Sequence, residues 1–321
     1  MSVIVLNYNG REWLAPCLTA LAAQIGAPPF ETILADNGST DGSVDFVVAR
    51  FPAVRIVEHG ENLGFAAGNN RAARTASAPL LVFLNNDTIP ADDWLGRLHR
   101  AHVEAPDRHL VTSRIVFLNQ PDIVDSAGDG YLRAGGAYKR GHRARVDGFL
   151  ESREVFGACG AAFLITRAVF DELGGFDESF FMVYEDVDLS YRARLAGYRC
   201  WYAADAVVRH AGSGTLGMLS DAAVFHGQRN LEWTWLKNTP ASLMVRTLPA
   251  HVVYSIAGLA HYILRGRASA ALRGKMAAVA GVPRVLSERR SIQRASRGER
   301  ARVEALMDRG WISTKRREKS G

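Results

Sequence analysis

Through the first third of this 321-residue chain, short apolar runs alternate with stretches whose apolar residues recur at helical spacing. That is the pattern of β-α-β units and a mainly parallel sheet. Residues 3–6 read as a first strand. Asn9, with Glu12 three residues on, suits a helix N-cap, and Leu14, Leu18, Leu21 and Ile25 then mark a face that should meet the sheet. Residues 33–35 give a second strand and Asp36-Asn37-Gly38-Ser39 a turn. Val44, Val47, Val48 and Phe51 stripe a second helix that starts near Ser39 or Asp41. Residues 55–57 form a short third strand, and Asn62-Leu63-Gly64-Phe65 leads into an alanine-rich helix over 66–76. Residues 80–84 are an unbroken apolar strand that stops at Asn85-Asn86-Asp87.

The middle, 110–155, mixes glycine, arginine and isolated apolar residues without a firm period and reads as extended loops or hairpins. Beyond it, 161–166 predicts a strand, 168–173 a short helix and 188–196 a longer one, with Trp201-Tyr202 and 206–209 completing the strands. From Ala241 the composition turns to aliphatic runs and then to arginine-rich helical sequence, so we place a domain boundary there: 1–238, followed by a basic, partly amphipathic helical extension over 239–321. Open α/β sheets bind ligands at the carboxyl ends of their strands, which predicts that Asn7, Asp36 and Asp87 share one rim.

Composition changes this picture little: 48% apolar and 22% charged residues are ordinary for a folded chain. Charge changes it more. Residues 265–321 hold 16 Lys/Arg against 5 Asp/Glu, leaving 23 against 28 in residues 1–264. The basic character therefore belongs to the tail, and with the apolar stretch before it the tail suits a helix lying on an anionic membrane. Residues 247–264 lack formal charge but are interrupted by Pro249, His251 and His261, so we read them as interfacial and not as spanning. No nucleic-acid-binding signature accompanies the arginines. Cys17, Cys159 and Cys200 have no metal or redox spacing, and the first apolar run is too short for a signal-peptide core, so a reducing cytoplasm is the expected setting.

An acid directly after a buried strand binds something or faces solvent, because burying it unpaired is costly. Asp87 could thus be a hard oxygen ligand for Mg²⁺ or Mn²⁺ beside a diphosphate, or simply part of a polar turn before Pro90. Asp36 could likewise be only the first residue of an Asx-turn. Asp188 has a structural explanation, standing early in a helix and four residues before Arg192.

The motifs Asp36-Asn37-Gly38-Ser39-Thr40-Asp41-Gly42-Ser43, Asn62-Leu63-Gly64-Phe65, Leu84-Asn85-Asn86-Asp87, Phe176-Asp177-Glu178 and Glu185-Asp186-Val187-Asp188 occur in that order. In this the chain closely resembles family 2 glycosyltransferases, particularly their bacterial rhamnosyltransferase-like branch, over roughly residues 2–235. The resemblance implies a GT-A fold, a Rossmann-like mixed and mainly parallel sheet flanked by helices, here with the C-terminal helical extension. It also implies a nucleotide-diphospho-sugar donor, a divalent metal and inversion at the anomeric carbon, on a lipid-linked or cell-envelope glycan acceptor at the cytoplasmic membrane face.

By the same resemblance Asp36 accepts a hydrogen bond from the base, Asn7 and Tyr8 flank the nucleoside, and Asn62, Gly64 and Asn70 lie near ribose and phosphates, with Asn86 in the donor set. Asp186 matches the catalytic base and Glu185 an acceptor contact or loop support. Residues 157–162 match the small-residue stretch beneath the donor sugar, and Arg209, His226 and Arg229-Asn230 match a segment that contacts phosphate. The common DxD pattern is broken by Asn85, leaving Asp87 as its one carboxylate. His210 matches the family's later histidine, which by the resemblance makes it the second metal ligand, and metal should bind weakly without the donor's phosphates. Two other classes remain open. A sugar-phosphate nucleotidyltransferase would need a glycine-rich, lysine-containing first loop, which Asn7-Tyr8-Asn9-Gly10-Arg11 is not. A non-catalytic carbohydrate-binding relative would fit the missing acid at Asn85 but not the presence of Asp87, Asp186 and His210.

Overall fold

The computed structural model describes residues 1–105, 107–212, 220–297 and 300–310. The last basic residues, Lys315, Arg316, Arg317 and Lys319, lie outside them. The first half follows the β-α alternation: β1 (Ser2–Asn7), α1 (Arg11–Ala22), β2 (Glu31–Asp36), α2 (Ser43–Arg50), β3 (Arg55–Glu58), α3 (Gly64–Thr75) and β4 (Leu80–Asn85). The short β5 (Thr88–Pro90) and α4 (Trp94–Val103) come next, then β6 (Leu110–Phe117), β7 (Gln120–Ser126), β8 (Asp129–Tyr131), β9 (Ala137–Lys139) and β10 (Arg153–Val155). The core ends with β11 (Ala162–Thr166), α5 (Arg167–Glu172), α6 (Glu185–Leu195) and β12 (Cys200–His210).

Among the described residues the main sheet runs β10-β12-β6-β11-β4-β1-β2-β3, with β5 added to β12 and β7 to β6. Strands β3, β2, β1 and β4 are parallel, whereas β11 runs antiparallel between β4 and β6. Successive side chains of a strand leave by opposite faces, and this sheet is buried on both. Val3, Val5, Leu34, Val82, Leu84 and Leu164 pack against Leu14, Leu18, Val47, Trp94 and Leu98 of α1, α2 and α4. Ile4, Ile33, Ala35, Phe83, Phe163 and Ile165 pack against Ala66, Ala72, Phe170, Leu189 and Ala193 of α3, α5 and α6.

Several elements differ from the sequence reading. Asn9 does not cap α1: it has φ of +49° and its side-chain oxygen accepts from the Thr40 amide, tying the first loop to the second. Ile25 and Val48 are exposed, because α1 ends at Ala22 and α2 presents only Val47 of that pair to the core. The aperiodic middle does contain hairpins, β6 with β7 and β8 with β9, but β6 is also an inner strand, buried on both faces. Strand buried on two sides shows no alternation, which is why Leu110–Phe117 carried no signal. The two expected strands near 201 and 209 are one, β12, with a register shift between Ala203 and Val207.

The expected boundary falls between α7 (Asp221–Asn238) and α8 (Ala241–Leu264), which are followed by α9 (Ala268–Ala280), α10 (Val282–Ala295) and α11 (Arg300–Ala305). The extension nevertheless shares its packing with the first domain. Trp233 of α7 meets Phe180, Ala278 and Val285, and Val303 and Met307 join Tyr191 and Leu195 of α6. Pro249 does not break α8, which is continuous over 24 residues and long and apolar enough, by length and composition, to cross a membrane. Helix α8 exposes Val245, Leu248, Val252, Val253, Ile256, Ile263 and Leu264, and α9 exposes Leu272, Met276 and Val279.

An ion-pair knot joins α7 to α6. Asp188, fully buried, accepts from Arg192 at 2.8 Å, Lys237 at 2.9 Å and Asn238 at 2.7 Å. The i,i+4 pair expected from sequence is present, but the burial and Lys237 make it a tertiary contact. Removing one member of such a pair strands the others' charge in the interior, at a cost of about 3–5 kcal/mol. We therefore expect Asp188→Ala to lower the free energy of unfolding by about that amount in urea titrations, whereas an exposed pair such as Arg145–Asp147 should give under about 1 kcal/mol.

Candidate active site

The strand ends β1, β2 and β4 bring polar side chains to one rim. Asn7 donates to Asp36 at 3.0 Å and accepts from Asn86 at 2.7 Å. Asp36 also accepts from the Ser39 hydroxyl at 2.6 Å and amide at 2.8 Å, so its carboxylate braces the turn that follows it. Tyr8 stands exposed beside them. Asn62 accepts from the Gly64 amide at 3.0 Å. Asn70 is committed on both sides, donating to the Phe176 carbonyl and Glu178 while accepting from the Phe176 amide.

Asp87 follows β4 and faces His210, the last residue of β12, at 3.2 Å from Oδ1 to Nε2. The other ring nitrogen, Nδ1, lies 2.8 Å from Asp125 Oδ2. Asp125, buried near the end of β7, also receives Lys139 Nζ at 2.9 Å on both oxygens and His142 at 3.2 Å. Burial works against both charges, yet the hydrogen bonds from His142 and His210 and the charge of Lys139 drive Asp125 far below the usual carboxylate range. Burial likewise lowers His210, but Asp125 and Asp87 outweigh it and push the imidazole up to about 9.

The opposite balance holds at the start of α6, which begins a turn earlier than the sequence spacing suggests and so carries Glu185 and Asp186 in its first turn. Asp186 accepts from the Gly160 amide at 2.7 Å and the Val187 amide at 2.8 Å. A Cβ at Gly160 would stand a tight 3.0 Å from Asp186 Oδ2, so a larger residue there would press on the carboxylate. Burial raises Asp186 despite these bonds. Burial and then the charge of Asp186 raise Glu185 further, and its Oε2 has no hydrogen-bond partner among the described residues. Asp129, at the foot of the β8–β9 hairpin, is raised by burial and by Asp186.

The turn leading into α6 is strained. Phe181, Val183 and Tyr184 have φ of +63°, +65° and +78°, and such positions persist only where surroundings over-determine them. Asn230 of α7 donates to the carbonyls of Phe180, Met182 and Val183, and Arg229 to those of Ser179 and Phe180. From the other side the Phe65 amide donates to the Phe181 carbonyl at 2.6 Å, an approach that Gly64 permits because a Cβ would meet that oxygen at 2.5 Å. Arg229 and Asn230, expected near phosphate, are thus occupied with the backbone of this turn, and His226 stacks on Phe181.

Residues 2–174 match Glycosyl transferase family 2. This chain belongs to that family. It is 30% identical over 242 residues to N-acetylglucosaminyl-diphospho-decaprenol L-rhamnosyltransferase of Mycobacterium tuberculosis, covering 65% of this chain and 75% of the relative. It is 32% identical over 213 residues to the O-antigen biosynthesis protein RfbC of Myxococcus xanthus, covering 62% of this chain and 16% of that one. Among solved structures, the mannosyltransferase PcManGT of Pyrobaculum calidifontis, in complex with GDP-Man and Mn²⁺, aligns with a TM-score of 0.55 at 19% identity, over 95% of this chain and 85% of that one. S. aureus TarS in complex with UDP aligns with a TM-score of 0.52 at 16% identity, over 95% and 82%. The fold of the family 2 chain is accordingly GT-A, and the enzyme is a glycosyltransferase.

Asp125, Asp129, Lys139 and His142 escaped the sequence reading because they fall in the aperiodic middle. The available signal was Ile123-Val124-Asp125-Ser126-Ala127-Gly128-Asp129, an apolar pair followed by two acids set among small residues.

His210 ties stability to pH. Its folded pKa of about 9 lies above the ordinary 6.5, so the proton it binds stabilises the fold fully below about pH 6.5 and is lost as pH rises through 9. We expect the metal-free enzyme to lose on the order of 3 kcal/mol across that window. His210→Gln should be flatter in denaturation followed at several pH values, and an identical slope in both proteins would refute the assignment.

Proposed function

We propose that this enzyme is an inverting glycosyltransferase that moves a sugar from a nucleotide-diphospho-sugar to a hydroxyl of a lipid-linked or cell-envelope glycan, with rhamnose from dTDP-rhamnose as the favoured donor. The observation that carries the reading is the division of the site: a carboxyl raised by burial at Asp186, and a paired carboxylate and imidazole at Asp87 and His210. A base with a raised pKa suits proton removal near neutral pH. Asp186 takes the acceptor hydroxyl's proton as that oxygen bonds to the anomeric carbon, and the bond from that carbon to the diphosphate oxygen breaks with its electron pair leaving on the nucleoside diphosphate. The Gly160 and Val187 amides hold Asp186 in place for this.

Asp87 and His210 would hold a divalent cation, Mg²⁺ or Mn²⁺, whose charge offsets that of the diphosphate. The donor set fits in kind, one hard oxygen and one imidazole nitrogen 3.2 Å apart. Among the described residues no three His, Cys, Asp or Glu side chains converge as a ready cage, which is consistent with donor phosphates supplying the remaining ligands. The Mn²⁺ and GDP-Man of the mannosyltransferase complex support the cation and donor class. The name of the mycobacterial relative supports rhamnose and a polyprenyl-diphosphate acceptor. Asn7, Tyr8, Asp36, Asn62, Gly64, Asn70 and Asn86 are proposed to bind or frame the donor.

With an acceptor of that kind, we propose that the enzyme works at a membrane, on its cytoplasmic face. The outer faces of α8 and α9 support this: Leu264 is 87% and Val245 75% exposed, while residues 241–297 carry ten basic residues against the one acid Glu288. Exposed apolar surface in quantity suits an interaction site, and an excess of basic residues in the same segment favours anionic headgroups.

Two measurements test the proposal. With purified enzyme, a nucleotide-sugar panel and a polyprenyl-diphosphate acceptor, transfer should appear and kcat should fall about 10²-fold or more in Asp186→Asn, with the circular dichroism spectrum unchanged. Undiminished turnover would remove Asp186 as the base. In flotation through a density gradient, the enzyme should rise with vesicles containing phosphatidylglycerol and stay below without them, and Val253→Asp with Ile256→Asp should abolish flotation. Equal recovery with both proteins would refute the membrane face.

A further inference from the structure

We propose that Asp125 is a positioning residue for the metal half of the site, fixing the His210 ring so that Nε2 is presented beside Asp87. The inference rests on the reading of Asp87 and His210 as the cation's protein ligands.

The backbone supplies the first argument. Strand β7 pairs with β6 through Ile115 with Ser126 and then Val116 with Val124, so Asp125 is the extra residue of a bulge. A bulge leaves one residue unpaired in the ladder and re-aims its side chain, and bulges gather beside active sites. On the other side of β6 runs β12, paired from Val207 with Arg114 to His210 with Phe117. Asp125 therefore reaches His210 across the end of the strand that separates them, with 2.8 Å from Oδ2 to Nδ1.

The second argument is hydrogen-bond logic. An ionised carboxylate only accepts, so Nδ1 must carry the hydrogen in its bond to Asp125. In the neutral ring the lone pair is then on Nε2, which is the atom 3.2 Å from Asp87 Oδ1. A ligating histidine is commonly oriented in this way, by a carboxylate on its far nitrogen. Asp125 is itself held in place: Lys139 Nζ contacts both carboxylate oxygens at 2.9 Å, and His142 Nδ1 lies 3.2 Å from Oδ1 and 2.9 Å from the Asp125 carbonyl oxygen. With 1% of its surface exposed, the carboxylate has two basic side chains fixing its position and one ring to orient.

The test is Mn²⁺ binding followed by electron paramagnetic resonance, first with the cation alone and then with UDP, dTDP or GDP, in wild type, Asp125→Ala, Asp125→Asn, His210→Ala and Asp87→Ala. Wherever wild type binds, Asp125→Ala should weaken Mn²⁺ about 10- to 100-fold. Asp125→Asn, which keeps an acceptor for Nδ1–H, should recover part of the loss. Nitrogen-15 spectra of histidine-labelled enzyme should show His210 as a single Nδ1–H form in wild type with Mn²⁺ replaced by Mg²⁺, and as a mixture of tautomers in Asp125→Ala. If Asp125→Ala does not fold, Asp125→Asn carries both readouts, with a smaller loss of affinity expected than His210→Ala shows. Mn²⁺ affinity within about threefold of wild type in the Asp125 variants, alongside loss in His210→Ala and Asp87→Ala, would overturn the role of Asp125 alone. Unchanged binding in His210→Ala and Asp87→Ala, or no Mn²⁺ binding by wild type under any of these conditions, would instead overturn the metal-ligand reading on which it rests.

Discussion

Backbone strain just ahead of Asp186 is the constraint around which the rest of the enzyme is arranged. A residue held at positive φ without being glycine costs on the order of 1–3 kcal/mol, and Phe181, Val183 and Tyr184 occupy such positions within four residues. The helix that starts immediately after them carries Glu185 and Asp186 in its first turn, so the direction of those carboxyls is set by a conformation the chain would not hold alone. It is held from two sides: by Asn230 and Arg229 reaching to its carbonyls, and by the Phe65 amide over Gly64. The segment after residue 220 is therefore part of how the site is built. Lys237, joining Asp188 to Asp177 at the two ends of this region, belongs to the same arrangement.

Around that frame the interior sorts its acids into two kinds. Asp125 is surrounded by Lys139, His142 and His210 and stays ionised. Glu185, Asp186 and Asp129 sit in a drier region, and burial raises each of them above the ordinary carboxylate range. Environments that push titratable groups apart in this way are how acid and base roles are separated in enzymes. Lys139 stands at the border, paired with Asp125 while its charge also bears on Asp129 and Asp186. The β8–β9 hairpin that carries Asp129 and Lys139 thus contributes to both regions.

How much of this was readable in the sequence depended on whether a residue's role was local. The β-α alternation through Asn85 was legible because its strands and helices differ in period, and Asn7, Asp36 and Asp87 could be placed on one rim because a parallel sheet orders its strand ends. Leu110–Phe117 was not legible as an inner strand, since its partners are β11 and β12, far away in the chain. Asp125 was missed for the same reason: its meaning lies in His210, 85 residues on. Asn230 and Arg229 were noticed as polar, but nothing in their spacing records that they face the carbonyls of a strained turn. Asn70 was noticed as well, and the structure gives it a clamp on Phe176 that the motif does not disclose.

Cys17, Cys159 and Cys200 are all buried, and burial holds their thiols well above the ordinary range. A thiol in that condition is seldom deprotonated and reacts slowly with alkylating reagents. Burial of all three predicts little labelling of the native enzyme by maleimide dyes. A single cysteine introduced on the outer face of α8, at Ile256 or Leu264, would carry an environment-sensitive fluorophore without first stripping the protein of its own sulfur, so whether that face meets lipid at all could be read in an otherwise unaltered chain.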